Sequence, residues 1–222
     1  MPNKSGRAYG LTTLCPLIGD QQDDQSYAAI IKGRLRNLPV DADSPWAKIP
    51  NLYMCRMFVL DDVFYQGKPA HEDHLKSKYL VFVAELHGEL EPFLEAMWRV
   101  AEDSIRDIWE FCVAFKGVCS TGDFVRYIKQ CQVETTFYFN GSNDESLAEQ
   151  LKALYLKQEL GKFVRDQQAH GKDPVQLQRA FSDFVARVEP FNLAGPTWRP
   201  GASDLAQAVI PSAGASPVSN RS

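Results

Sequence analysis

The sequence has little of what marks several large classes of protein. Its formal net charge is only −4 over 222 residues, and Lys and Arg are scattered rather than clustered, so it lacks the electrostatic footprint of a nucleic-acid-binding protein. Its longest apolar runs fall well short of the roughly 20 residues that a membrane helix needs, and its first residues contain no apolar signal-peptide core. We therefore expect no nucleic-acid partner, no membrane span and a cytoplasmic location.

Paired cysteines and catalytic signature motifs are also missing. The five cysteines are odd in number, contain no C-x-x-C pair and fall mostly inside apolar segments, which predicts buried, reduced thiols. The chain has no G-x-S-x-G, Walker loop, G-x-G-x-x-G or H-E-x-x-H. No motif therefore fixes a reaction or a cofactor, and the cofactor stays unknown.

Apolar residues are plentiful, and their spacing predicts a mixed fold. With 45% hydrophobic and 11% aromatic residues, the chain can bury a substantial core. Runs typical of strands cover Leu11–Gly19, Asn51–Val63, Lys78–Gly88 and Val133–Gly141. Helical spacing of apolar residues covers Asp23–Leu38, Glu89–Phe115 and Thr121–Cys131.

This order of elements predicts the fold class and the domains. Strand, helix, strand, strand, helix, strand is the order of a ferredoxin-like α+β domain, an antiparallel four-stranded sheet with helices on one face, which we assign to residues 1–142. A helical extension follows over 143–194, with a first helix opening at a Ser142 and Glu145 capping-box spacing and a second at Asp173-Pro174. Residues 195–222 are rich in Gly, Ala, Ser and Pro, so we expect a disordered tail that Trp198 alone could pin.

Two stretches carry a resemblance to known proteins. At "YMCRMFVLDD" and "KYLVFVAELHGELEPFLEAM" the chain resembles a loose and mostly uncharacterised group of bacterial ferredoxin-like proteins, over about Leu11 to Gly141. At superfamily level it is similar to dimeric α+β barrels, in which two sheets pack open face to open face. The resemblance implies a homodimer and a small-molecule site with oxidative or isomerising chemistry. It leaves the cofactor open, because that superfamily includes haem enzymes, cofactor-free monooxygenases and isomerases.

Alternation along the strands indicates where such a site would lie. The side of each strand away from the helices is the place for polar residues, because an unpaired charge under the helices would cost several kcal/mol. That open side carries three candidate catalytic residues, Arg56, Glu85 and His87. Arg56 could hold an anionic group, and Glu85 or His87 could move a proton. The candidate ligand-binding residues on the same side are Met54, Phe58, Tyr138 and Asn140.

The predicted fourth strand would turn Phe137 and Phe139 towards the helices. A hairpin symmetric about its connector would place Arg56 opposite Glu85 as a cross-strand pair. That pair could also be a simple salt bridge without chemistry.

Two alternatives remain open at this stage. The protein could be a non-catalytic accessory protein that docks another chain through the open face and the C-terminal helices, which could cover that face instead of a second copy. "HEDH" at His71–His74 offers two imidazoles and two carboxylates, but no third ligand follows at a recognisable spacing, so no metal site is predicted. Haem would ordinarily need an axial ligand, and neither core helix carries a histidine.

Overall fold

The computed structural model describes residues 3–19, 21–22, 25–65, 67–68, 74–141, 144–170 and 173–202, which form an α+β fold. The strands are β1 (Lys4–Ser5), β2 (Ala8–Pro16), β3 (Gln21–Gln22), β4 (Gln25–Ser26), β5 (Leu52–Leu60) and β6 (Tyr79–His87). The α-helices are α1 (Tyr27–Arg36), α2 (Leu90–Trp109), α3 (Thr121–Cys131), α4 (Leu147–His170) and α5 (Pro174–Val188). Among these described helices, none has both the length and the apolar character that crossing a membrane would require.

One antiparallel sheet organises the first part of the chain. Its strand order is β1-β2-β6-β5, and β3 and β4 form a separate small hairpin. The strands β2 and β6 pair along their whole length, from Ala8 opposite His87 to Pro16 opposite Tyr79. The three long strands lie where apolar runs predicted them, so the coarse prediction of an antiparallel α+β sheet is confirmed.

The helices α1, α2 and α3 cover one face of this sheet. Trp109 at the end of α2 is fully buried, and its ring packs edge-on against Phe82 of β6 at 5.5 Å and against Phe124 of α3 at 6.5 Å. Fully burying side chains of this size is worth about 2–3 kcal/mol each, so this cluster stabilises the two-layer arrangement. The alternate residues of β6, from Leu80 to Leu86, all point into this core.

The opposite side of the sheet, which we call the open face, carries the residues of β5 and β6 that the alternation assigned to it. It carries Ala8, Gly10, Thr12 and Leu14 of β2, Val81, Val83, Glu85 and His87 of β6, and Met54, Arg56 and Phe58 of β5. Met54 and Phe58 are 58% and 46% exposed. The C-terminal helices therefore do not cover these two side chains within the single chain.

The predicted fourth strand at 133–141 is wrong, because the N-terminus already occupies the edge of β2. β1 pairs with Ala8 and Tyr9, and Gly10 N–H donates to the Asn3 carbonyl at 2.9 Å. The chain that leads into residues 133–141 makes a single isolated β-bridge to this edge, between Thr13 and Gln132. Residues 133–141 therefore form no strand. Phe137 and Phe139, predicted to face the helices, are instead 82% and 72% exposed.

The predicted pairing of Arg56 with Glu85 is also wrong, by a shift of two residues. Arg56 lies opposite Val83, and Met54 lies opposite Glu85. The register changes between Leu52 and Met54, where the strand bulges at Tyr53. Because the shift is even, each side chain of the pair keeps its predicted face.

The helical extension is present over the described residues, with one corrected start. α4 begins at a capping box formed by Ser146 and Glu149, whose side chains and backbone N–H groups bond reciprocally; the predicted cap Ser142 lies outside the described residues. α5 begins as predicted, with Asp173 Oδ1 accepting from the N–H groups of Val175 and Gln176 at 2.8 and 3.0 Å. The predicted tail is described only to residue 202.

Candidate functional site

The polar end of the open face is built around Glu85 and His87, the last outward-facing residues of β6. Glu85 lies between Gly10 of β2 and Met54 of β5 in one row across the sheet. His87 lies in the next row, opposite Ala8. β6 ends directly after it at Gly88, whose φ of +94° suits glycine and turns the chain towards α2.

Tyr138 covers this end of the sheet and binds Glu85. Its hydroxyl donates to Glu85 Oε2 at 2.5 Å. A Cβ at Gly10 would lie only 2.9 Å from two carbons of the Tyr138 ring, so the ring rests on bare backbone. Burial, and then the hydrogen bond to the Glu85 carboxylate, raise the pKa of Tyr138. The hydroxyl is therefore held protonated and donates to Glu85.

Tyr53 orients the imidazole of His87. The Tyr53 hydroxyl donates to the carbonyl of Glu145 at 2.9 Å, and the same oxygen lies 2.8 Å from His87 Nδ1. A hydroxyl has one proton to donate, so in this contact Nδ1–H must be the donor. In neutral His87 the lone pair then resides on Nε2. Burial, followed by the negative charges of Asp144 and Glu149, raises the pKa of Tyr53.

Residues 133–141, which do not form the predicted strand, and the residues just after them are anchored in a way that holds both tyrosine contacts in place. Asn3 Oδ1 accepts from Thr135 N–H at 3.3 Å, and Ser5 Oγ accepts from Asn140 N–H at 3.2 Å. Farther along, Asp144 Oδ1 accepts from Arg7 N–H at 2.9 Å, next to the Glu145 carbonyl that Tyr53 binds. The N-terminal strand thus positions the cover of the site.

The predicted site residues fall into two groups. Glu85, His87 and Tyr138 come together at the polar end, with Met54 beside Glu85. Arg56 and Phe58 lie farther along β5 on the same face, opposite Val83 and Val81. Asn140 reaches this end of the sheet and is anchored through its backbone N–H.

Two residues of this site, Tyr53 and Gly10, were missed by sequence reasoning. Strict alternation assigns Tyr53 to the helix side, and only the bulge lets it reach His87. The local sequence contains no signal that predicts this bulge. Gly10 did carry a signal, because an isolated glycine within an apolar strand often marks a close approach of another group.

The described residues offer no assembled metal site. Across the described part of the chain, no group of three or more His, Cys, Asp or Glu side chains could hold a metal ion. Of the "HEDH" stretch, residues 71–73 lie outside the described residues, and His74 Nδ1 lies 2.7 Å from Asp62 Oδ2. Of the buried thiols, Cys15 has its pKa raised to about 12, first by its hydrogen bond with Cys112. That thiol is therefore protonated and unreactive at neutral pH.

Comparisons with known proteins add no assignment. No family model matches the chain, and neither a curated protein nor a solved structure matches it. The functional interpretation therefore comes from the geometry of the open face.

Proposed function

We propose that the protein binds a small, mostly apolar molecule on the open face and transfers a proton there through His87. The observation that supports this is the oriented imidazole: Tyr53 accepts from Nδ1–H, which leaves Nε2 as a proton acceptor. Beside it, Met54 provides apolar surface, and the Glu85–Tyr138 pair provides a fixed polar anchor. A few convergent polar groups next to apolar surface are typical of small-molecule sites.

The chemistry would be an isomerisation. Nε2 of His87 takes a proton from a carbon next to a carbonyl group of the ligand, and the electron pair of that C–H bond moves into the enolate. The imidazolium returns the proton to a different atom of the same molecule, so no other reactant is consumed. Arg56 would bind an anionic group of the ligand farther along the face.

The test uses exchange of carbon-bound protons. The probe is 2-tetralone, an apolar ketone, in deuterated buffer, and NMR follows the loss of its α-proton signals. We expect the protein to accelerate exchange, His87→Gln to remove the acceleration and Tyr53→Phe to reduce it. Two matched controls should exchange like the wild type: His74→Gln in the connector, and Tyr79→Phe at the far end of β6. Exchange that is unaffected by His87→Gln would refute the proposal.

A second candidate function is docking of another chain, and it is favoured by the exposed apolar residues of β5. Met54 and Phe58 are exposed on the open face, and exposed apolar residues of this kind commonly mark interfaces. The partner we propose is a second copy, packed sheet to sheet as in dimeric α+β barrels. The ferredoxin-like relationship and the cytoplasmic location are parts of this proposal.

Sedimentation velocity of the full chain tests the dimer. We expect a dimer for the wild type and a shift towards monomer for Phe58→Ser. The matched control is Val100→Ser on α2, where the valine is 40% exposed away from the sheet, and it should sediment like the wild type. A wild-type protein that is monomeric at high concentration would exclude this candidate while leaving the proton-transfer proposal intact.

A further inference from the structure

A turn at the N-terminal edge of the sheet is shaped to receive one carboxylate. Gly6 and Arg7 connect β1 to β2, and Arg7 N–H donates to Asp144 Oδ1 at 2.9 Å, although the two residues are 137 positions apart in the chain. A Cβ at Gly6 would lie 2.6 Å from Cγ and Oδ2 of Asp144, so the carboxylate lies directly against the backbone. The φ of Gly6 is +59°, which also favours glycine. The turn and the carboxylate are therefore fitted to each other.

The carbonyl that follows Asp144 is the one that binds Tyr53. Glu145 O accepts from the Tyr53 hydroxyl at 2.9 Å and from Nε2 of Gln150 at 3.0 Å. The ring of Tyr53 stands edge-on to the imidazole of His87, with the ring centroids 6.2 Å apart. Because Glu145 is the next residue in the chain, a movement of Asp144 also moves the acceptor on which the Tyr53 hydroxyl depends.

We propose that Asp144 is a positioning residue for His87. The turn holds Asp144 and thereby the Glu145 carbonyl, which accepts the proton of the Tyr53 hydroxyl. The hydroxyl oxygen is then left to accept from Nδ1–H of His87. One chain of contacts thus runs from the turn to the imidazole and sets its tautomer. The use of this tautomer rests on the proposed proton transfer, whereas the tautomer itself can be measured without any ligand.

Asp144 could act through its charge or through its position, and a conservative variant separates the two. Its charge contributes to raising the pKa of Tyr53, after burial. A carboxamide loses this charge but keeps an oxygen that can accept from Arg7 N–H. Asp144→Asn should therefore preserve the tautomer of His87, whereas Asp144→Ala, which removes the acceptor, should not.

Nitrogen-15 NMR of the full chain, in alkaline buffer where the imidazole is neutral, measures this tautomer. The spectrum of His87→Gln identifies the His87 signals among those of the four histidines. We expect Nδ1 to be predominantly protonated in the wild type and in Asp144→Asn. In Asp144→Ala the protonated fraction should fall by about twofold or more, because neither nitrogen is then fixed by a partner. Asp173→Ala is the matched control, since Asp173 also accepts from backbone N–H groups but at the start of α5, and it should leave the tautomer unchanged.

Two further variants test whether the effect passes through the turn and through Tyr53. Gly6→Ala should displace the carboxylate and change the tautomer as Asp144→Ala does, and circular dichroism checks that each variant is folded. In Tyr53→Phe protein, Asp144→Ala should have no further effect, because the hydroxyl through which it acts is gone. An unprotonated Nδ1 in the wild type, an unchanged tautomer in Asp144→Ala, or the same change with and without the Tyr53 hydroxyl would overturn the proposal.

The exchange of 2-tetralone protons separates this role from the proposed function. If Asp144→Ala changes the tautomer but the wild type does not accelerate exchange, the positioning role holds and the proton transfer is refuted. If the wild type accelerates exchange and Asp144→Ala keeps the tautomer, the positioning role is refuted and the proton transfer holds.

Discussion

Replacing Gly10 by alanine tests whether the cover of the open face depends on a missing side chain. The added Cβ would lie 2.9 Å from Cδ2 and Cε2 of Tyr138 and 3.3 Å from Cζ, closer than packed atoms tolerate. The ring must therefore move away from the sheet. Because its hydroxyl lies 2.5 Å from Glu85 Oε2, that movement breaks the hydrogen bond.

The opposing contributions can be compared. Glycine in a strand interior is less favourable than alanine by about 0.5–1 kcal/mol, so the substitution alone would stabilise the protein. A hydrogen bond to a charged group contributes about 1.5–3 kcal/mol, and we take the lower half of that range because Tyr138 and Glu85 are only partly buried. Loss of the packing of the ring on the strand adds about 1 kcal/mol. The net effect should be a destabilisation of about 1.5–2.5 kcal/mol.

Urea unfolding followed by circular dichroism measures this change, and a second background isolates its cause. In Tyr138→Ala protein the ring is gone, so Gly10→Ala should stabilise the fold by about 0.5 kcal/mol instead of weakening it. Gly33→Ala is the matched control: no atom lies within 4 Å of its Cβ, and it should stabilise α1 by up to about 1 kcal/mol. If Gly10→Ala has the same effect with and without Tyr138, the proposed contact does not hold the cover in place.

Two further predictions concern other parts of the chain. Lys152 is only 2% exposed and donates to the carbonyls of Val188 and Pro196 at 2.8 and 2.7 Å. Lys152→Met should therefore lower the free energy of unfolding by about 2 kcal/mol and speed amide hydrogen exchange in the residues after α5. Unchanged exchange in those residues would contradict this prediction. The hydrogen bond from His74 is the main cause that lowers the pKa of Asp62 to about 2, so its stabilising effect is present above the ordinary carboxyl pKa and is lost as pH falls from about 4 to about 2. Asp62→Asn should therefore lose less thermal stability than the wild type between about pH 5 and about pH 2.5. Identical losses would show that the Asp62–His74 pair does not stabilise the fold.

Much of the fold follows from periodicity, because burial on one face is a local constraint. The alternation in β5 and β6 identifies the faces, and the apolar spacing of α2 and α3 identifies the helices that cover one of them. The fourth strand could not be predicted in this way. Residues 133–141 have strand-forming composition, but the edge of β2 that they would need is taken by Lys4–Ser5, a pairing too short to leave a pattern. Competition between segments for one edge is a property of the whole chain.

The site shows the same division between what is local and what is not. Glu85 and His87 are identifiable because they interrupt an apolar strand on the side away from the core. Tyr138 was placed on the same face by extending a strand that does not form; it reaches Glu85 because the loop crosses the sheet above Gly10.

The arrangement that gives His87 a defined tautomer depends on a bulge. In a regular strand, Tyr53 would point towards the helices, and Nδ1 of His87 would have no hydroxyl to bind. One extra residue in β5 therefore changes the face of Tyr53, which brings a hydroxyl to the imidazole. The offset between Arg56 and Glu85 has a different origin, because Met54 to Leu60 pair in one regular register with Glu85 to Tyr79 on the hairpin side of the bulge. It follows that the chemistry we propose for His87 depends on this irregularity in β5. A deletion that restored regular pairing at Tyr53 should abolish the oriented imidazole while leaving the core face of β6 unchanged.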